Sequence, residues 1–157
     1  MDLTELPITW RAVIPDAYLD ANGHMNVMWY THLFSCAVGQ FFESFELTPA
    51  YFEANQAGSF ALEVHTRYLA EVRVGNHVTV RSRALGRTAK RVHYMSFMVI
   101  DHTGVLAATE ECVGTHVDLR VRRSSPLPAS VVEAFDRLLA EHQRLSWAAP
   151  VCGVMHP

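Results

Sequence analysis

The sequence predicts an α+β domain, an antiparallel β-sheet wrapped around a long central helix. Two observations carry that prediction. Residues 27–42 contain no Asp, Glu, Lys or Arg, and bulky side chains recur every three or four positions. Trp29, Leu33, Ala37 and Phe41 form one row, with Tyr30, Phe34, Val38 and Phe42 beside it, which is a helical period. Beyond residue 60 the period drops to 2 through four consecutive segments joined by short turns, as hairpin-connected strands require.

Residues 8–14 alternate as a strand that Pro15 ends. The central helix is expected from about residues 23–25 to residue 46. Its two apolar rows cover more than the usual stripe, so protein should wrap most of its circumference. Leu47-Thr48-Pro49 breaks it, and Pro49 can open a second short helical turn. Residues 51–60 read as a mixed connector. Strands follow over residues 61–71, 76–86, 91–101 and 105–119. In the second of these Val78, Val80 and Ser82 point one way and Thr79, Arg81 and Arg83 the other, the pattern of a sheet with one solvated face. Residues 92–100 are apolar on both faces towards their end, which suits a mid-sheet position. A basic run at 120–123 and a Ser/Pro linker at 124–128 lead to a last helix over 129–145. Its stripe of Val131, Val132, Phe135, Leu138 and Leu139 should pack on a surface. Residues 148–157 have no periodicity and are expected to be loose.

At 157 residues the chain reads as a single domain, residues 1–157, with its core over 8–119. His32, Gln40 and Glu43 interrupt the central helix, so no apolar run approaches the ~18–20 residues that span a bilayer. The first five residues lack the basic start and apolar core of a signal peptide. Cys36, Cys112 and Cys152 are odd in number, with no CxxC pair, and fit a reducing cytoplasm. Net charge is −3, which argues against a nucleic-acid partner. Six of the thirteen cations, Arg73, Arg81, Arg83, Arg87, Lys90 and Arg91, lie between residues 72 and 100 without one acid among them. That basic side suits an anion smaller than a nucleic acid, such as a nucleotide-phosphate carrier.

Directly before the helix stands the string Asp20-Ala21-Asn22-Gly23-His24-Met25-Asn26. A carboxylate, a carboxamide and an imidazole therefore sit on the turn that leads into the positive end of the helix dipole. This string, the following Tyr30 and the strand–helix–four-strand order resemble the hotdog-fold thioesterases of the 4-hydroxybenzoyl-CoA thioesterase type, over about residues 8–119. The string is also similar to the D-x-N-x-H-x-N segment of plant acyl-carrier-protein thioesterases. It is similar as well to thioesterases that act on short or polar acyl groups, betainyl-CoA among them.

The resemblance implies that Asp20, Asn22 and His24 carry catalysis. A glutamate in a Tyr-x-x-Glu pattern falls on Glu71. It also implies that Arg87, Lys90 and Arg91, on the hairpin between the second and third post-helix strands, meet the phosphates of coenzyme A. No cofactor is implied beyond coenzyme A as part of the substrate, and no metal. The family builds its sites between subunits, so a homodimer or a homotetramer made as a dimer of dimers is expected, with no membrane and no nucleic-acid partner.

The residues suit that chemistry. Unpaired N–H groups around residues 25–27 are fixed donors for the oxyanion that develops when a thioester is attacked. Asp20 would act as base or nucleophile, Asn22 would position the water or the carbonyl, and His24 would orient the carboxylate or move a proton. Gly23 permits the turn and close approach of a ligand. Val27 and Tyr30 would line the substrate site, and Trp29 and Phe34 are further aromatic candidates.

Simple helix capping is the bland alternative, but it accounts for one polar residue of the string and not for three together. The spacing of His32 and Cys36, at i and i+4, could form a catalytic pair, but Cys on an apolar helix is usually a small core residue. His65, His93 and His116 lack metal-ligand spacing, and Glu63 and Glu71 also read as exposed sheet charge. Two rival functions remain open: an acyl-carrier-protein thioesterase and a non-catalytic acyl-binding hotdog protein.

Overall fold

The computed structural model describes all of residues 1–157. Its elements are β1 (Ile8–Val13), α1 (Val27–Glu43), α2 (Pro49–Asn55), β2 (Ala57–Tyr68), β3 (His77–Arg87), β4 (Arg91–Ile100), β5 (Val105–Asp118), β6 (Arg123–Ser124) and α3 (Ala129–Gln143). The strands form one antiparallel sheet in the order β1-β3-β4-β5-β2, with the short β6 paired to β5. This is the hotdog arrangement that the sequence order predicts.

The buried side of α1 carries Tyr30, Leu33, Phe34, Ala37, Phe41 and Phe42. Its first half packs on Val78, Val80, Met98, Ile100 and Ala108 of the sheet. Its second half meets Ala84, Val92, Tyr94 and Cys112, where Val131 and Phe135 of α3 join the same core. Large side chains such as Phe34 and Phe41 are fully buried, each worth about 1.5–3 kcal/mol of transfer free energy.

Five expectations need correction. First, α1 starts at Val27 rather than near residue 24, because Asn26 takes the N-cap with its Oδ1 accepting from the Met28 N–H at 3.0 Å. Residues 19–25 instead make a turn closed by the bridge between Leu19 and Met25. At its other end the helix stops at Glu43, and Glu46 adopts a left-handed φ of 73°. Second, α1 is not wrapped on all sides: Val27, Met28, Thr31, His32 and Ser35 are exposed. Absence of charge on that face reflects small and neutral polar residues, not burial within one chain.

Third, the outer face of β3 is not solvated. Thr79 and Arg83 are buried there. Arg83 donates to the Trp147 carbonyl at 2.8 Å and the His142 carbonyl at 3.0 Å, and its guanidinium lies 4.2 Å from the Trp147 ring centroid. Fourth, residues 148–157 are packed: Met155 is buried, and the Cys152 N–H donates to Glu111 at 2.6 Å. Their apolar contacts come from the sheet's second face, which no local period announces. Fifth, the connector resolves into α2 and an earlier start of β2 at Ala57.

β2 is an edge. Only β5 pairs with it, and Phe60, Leu62, Val64 and Tyr68 along it are exposed.

Candidate active site

The turn before α1 is built by local hydrogen bonds. Asp20 Oδ1 accepts from the Asn22 N–H at 2.8 Å, the Asp20 N–H donates to the His24 carbonyl, and the Gly23 N–H donates back to the Asp20 carbonyl, both at 3.1 Å. Gly23 sits at a φ of 78°, a conformation in which a Cβ would be strained. His24 Nδ1 lies 3.8 Å from Asp20 Oδ1 and 3.4 Å from the Met25 carbonyl, so the imidazole is held between the carboxylate and the helix mouth.

Not every amide at that mouth is open. The Met25 N–H donates to the Val72 carbonyl at 2.8 Å and the Asn26 N–H to the Tyr18 carbonyl at 2.9 Å. These two of the three expected oxyanion donors are therefore occupied by the chain itself. The Met28 N–H is taken by the Asn26 cap and the Trp29 N–H by the Asn26 carbonyl. The Val27 N–H has no acceptor in the chain, as the first residue of a helix leaves it.

A cavity of about 320 Å³ opens beside it, lined by His24, Met25, Val27, Tyr30, residues 68–70 and Glu71. It brings together His24, Val27, Tyr30 and Glu71 of the residues singled out in the sequence. Asp20 stands behind His24 rather than in the wall, and Asn22 and Gly23 are exposed on the turn. The Glu71 carboxylate pairs with Arg73 at 3.0 Å on an exposed edge. Tyr30 is buried with its hydroxyl 3.4 Å from the Ala70 carbonyl, and burial raises its phenol above its ordinary value. Trp29 and Phe34 are elsewhere: Trp29 stacks on Tyr18 at 3.8 Å, and Phe34 is core.

The basic hairpin lies at the other end of the sheet. β3 carries the chain from the mouth side at His77 to Arg87, roughly 30 Å at the usual strand rise. Arg87 is committed to Asp136 of α3, its Nε 2.6 Å from Oδ1, and that pairing lowers the Asp136 carboxyl and raises the guanidinium. Arg81 donates to the Thr4 carbonyl at 3.3 Å and to that of Leu6. Lys90 and Arg91 are exposed with no side-chain partner. Of the three cations expected at phosphates, these two carry a charge with no partner in the chain.

Sequence reasoning missed Glu110. It projects from β5 into a second cavity of about 510 Å³, between the Thr31, Ser35 and Val38 side of α1 and the inner faces of β2, β4 and β5. Glu110 is 6% exposed, and its nearest polar partner is the Thr66 hydroxyl at 3.5 Å. Burial pushes its carboxyl up to about 7. A Glu-Glu pair inside a strand was the available signal, because alternation sends one of the two inward whichever way the strand faces.

Its neighbour Glu111 faces outward and is tied to His93 Nε2 at 2.8 Å and the Cys152 N–H at 2.6 Å. Those bonds to its charged form hold its carboxyl below the ordinary value despite burial. His65 and Cys152 bring their donor atoms within 4.8 Å of that carboxylate. The cluster lies on the opposite face of β5 from Glu110.

A curled antiparallel sheet around one helix is the hotdog fold. Residues 14–135 match the model of the thioesterase-like superfamily, and the chain belongs to that family. It is 28% identical over 143 residues to a betainyl-CoA thioesterase of Pseudomonas aeruginosa, covering 91% of this chain and 90% of that one. It is 30% identical over 133 residues to an L-carnitine dehydrogenase/betainyl-CoA thioesterase of Agrobacterium fabrum, covering 85% of this chain but 27% of that protein.

Among solved structures, a Staphylococcus aureus protein characterised in complex with CoA superposes with a TM-score of 0.82 at 26% identity, over 91% of this chain and 90% of that one. A 1,4-dihydroxy-2-naphthoyl-CoA thioesterase of Synechocystis shares the fold, with a TM-score of 0.72 at 16% identity over 83% and 96% of the two chains.

Proposed function

We propose that the chain hydrolyses an acyl-CoA thioester to a free carboxylic acid and coenzyme A at the mouth of α1. The observation that carries this reading is the unpaired Val27 N–H at the cavity rim beside His24. The thioester carbonyl accepts from that N–H, which lies at the positive end of the helix dipole and stabilises the oxyanion as it forms. Asp20 acts as base or nucleophile, with His24 between it and the cavity to orient it or carry the proton. In the base route water adds to the carbonyl carbon, the tetrahedral oxyanion collapses, and the C–S bond breaks. The coenzyme A thiolate leaves and takes up a proton, and the acyl group departs as the acid. The betainyl-CoA thioesterase relatives and the CoA complex of the S. aureus structure support coenzyme A as the carrier.

The working unit in this reading is at least a dimer. The unpaired β2 edge with its exposed apolar side chains and the uncovered stripe of α1 support a second copy seated there. Antiparallel pairing of β2 with its copy exchanges ends, so the second copy's hairpin, with its Lys90 and Arg91, approaches the mouth side of the first. Coenzyme A phosphates leaving the mouth would meet cations there and not those of the same chain. A solution mass equal to one chain at working concentration would overturn this arrangement.

The activity is tested by release of free thiol from a panel of acyl-CoA esters, with Asp20→Asn beside the native chain. The expected outcome is turnover of at least one ester and a loss of about 100-fold or more in the variant, the scale of general acid–base contributions. No turnover across a broad panel sinks the hydrolase reading. Equal rates in the variant would remove Asp20 from its role while leaving the enzyme.

A further inference from the structure

The inner cavity holds a carboxylate that nothing in the chain's own stability explains. Glu110 is 6% exposed, and taking a carboxylate out of water is expensive unless it is paired. Its one polar neighbour within reach is the Thr66 hydroxyl at 3.5 Å. Within one chain no Lys, Arg or His lines the cavity. The polar groups that share the cavity with Glu110 are the hydroxyls of Thr31 and Ser35 on α1, Ser59 on β2 and Tyr94 on β4 and the thiol of Cys112 on β5, with the Thr66 hydroxyl of β2 beside it. Burial pushes the Cys112 thiol up to about 11 and the Tyr94 phenol well above its ordinary value. Both are neutral near pH 7, and Glu110 is the one wall group that ionises there.

Position says what such a carboxylate can touch. Thr31 follows Val27 by one helical turn, roughly 6 Å along the axis. Both face the same stripe of α1, and β2 borders both cavities, through Tyr68 at the mouth and Val64 further in. A thioester carbonyl on the Val27 N–H therefore directs its acyl group towards Glu110. Glu110 lines the cavity that Thr31, one turn beyond Val27, also lines, so its place in this reading is at the acyl tail and not at the attacking water. Phe42 and Tyr94 also line this wall, and aromatic rings attract cations.

We propose that Glu110 is a specificity-determining residue that pairs with a positive charge on the acyl group, so that the substrate class is a cationic acyl-CoA. This rests on the acyl-CoA reading above and adds the charge of the acyl tail to it. A bound cation supplies the counter-charge that the chain omits, and it holds Glu110 ionised. An anionic acyl group would meet like charge, and a neutral one would leave the carboxylate unpaired. The same cost of leaving a buried polar partner unmatched lets sites reject isosteres that lack the matching group.

The test uses two CoA thioesters of the same shape. One acyl group is trimethylammonioacetyl, and the other is 3,3-dimethylbutanoyl, in which carbon replaces the nitrogen. The native chain is expected to favour the cationic ester at least tenfold in kcat/KM at pH 8. Glu110→Gln, close in size and unable to ionise, should bring that ratio towards one. In the native chain the ratio should also fall between pH 8 and pH 6 as the carboxyl takes up its proton.

Binding of the two non-hydrolysable thioether analogues reads the same preference without turnover. Equal binding of the analogues, or a preference unchanged in Glu110→Gln, overturns the assignment even when esters are hydrolysed. A kept cation preference in binding with no ester turned over sustains it and sinks the hydrolase reading instead.

Discussion

The two cavities along α1 are built in opposite ways. At the mouth, polar side chains are satisfied by the backbone of one short turn: Asp20 by the Asn22 N–H, Asn26 by the Met28 N–H. At the start of the helix the Val27 N–H remains open. Further in, the walls come from α1 and three strands, and what is left without a counter-charge is an acceptor, the Glu110 carboxylate. A donor at one end and an acceptor at the other would orient a ligand with a carbonyl oxygen at its head and a cation at its tail.

Removing the mouth's donor is expected to have the largest effect. Val27→Pro deletes the N–H and little else, because proline is favoured at the first helical position. Asn26 already has the φ of −63° and ψ of 144° that a following proline requires. Loss of one oxyanion donor typically costs about 100- to 1000-fold in kcat, so thiol release should fall by that order with the far-ultraviolet circular dichroism spectrum kept. Val27→Ala retains the N–H and should stay close to the native rate. If both variants behave alike, the N–H is not the donor.

Stability against pH sharpens the contrast between an unpaired group and a paired one. Burial pushes Glu110 from 4.5 up to about 7. The folded chain therefore holds that proton more tightly than the unfolded chain, a contribution complete below 4.5 and lost as pH rises through 7. His142 has the opposite sign. Burial, with Arg83 adding, pushes it from 6.5 down to about 4, and its Nδ1 accepts from the Ala84 N–H at 2.8 Å. Its contribution is present above 6.5 and is lost as pH falls towards 4.

Each displacement corresponds to roughly 3 kcal/mol at most. Glu110→Gln should accordingly raise the melting temperature at pH 8 more than at pH 5, while the native chain loses stability below pH 6 through His142. An equal gain for Glu110→Gln at both pH values would mean that the carboxyl is not perturbed in the folded chain.

The mouth was legible because its residues are neighbours in sequence: the Asp20–Asn26 string and the uncharged run after it announce a turn, a helix start and a polar entrance together. Burial of one side of α1 was equally readable from Tyr30, Leu33, Phe34 and Ala37. Which amides stay open was not, since Met25 is capped by Val72 and Asn26 by Tyr18, partners set by tertiary packing. Glu110 was invisible for a related reason. Alternation shows that Glu110 and Glu111 face opposite ways, but only the register with Thr66 and His65 on β2 says which of them looks into the groove. The outer face of β3 misled because Arg83 resembles a solvent-facing cation until Trp147 and the His142 carbonyl cover it.

The smallest effect is expected outside both cavities, at the hairpin. Arg87 is neutralised by Asp136, so its removal should be felt mainly as a loosened contact between β3 and α3, and not in affinity for coenzyme A. Lys90 and Arg91 are exposed and uncommitted, and a solvent-exposed ion pair is worth about 1 kcal/mol or less, which corresponds to about fivefold. Lys90→Ala and Arg91→Ala should therefore each raise KM for a full CoA ester by about two- to fivefold, with kcat unchanged. KM for the corresponding pantetheine thioester, which lacks the nucleotide phosphates, should not move. Added salt should shrink the difference between native and variant, since exposed pairs are screened within about 10 Å at 0.1 M ionic strength. The same rise for both esters would mean that these cations act on something other than phosphate. No rise for either would leave the hairpin outside the substrate's path, and with it the antiparallel pairing that brings a second copy's cations to the mouth.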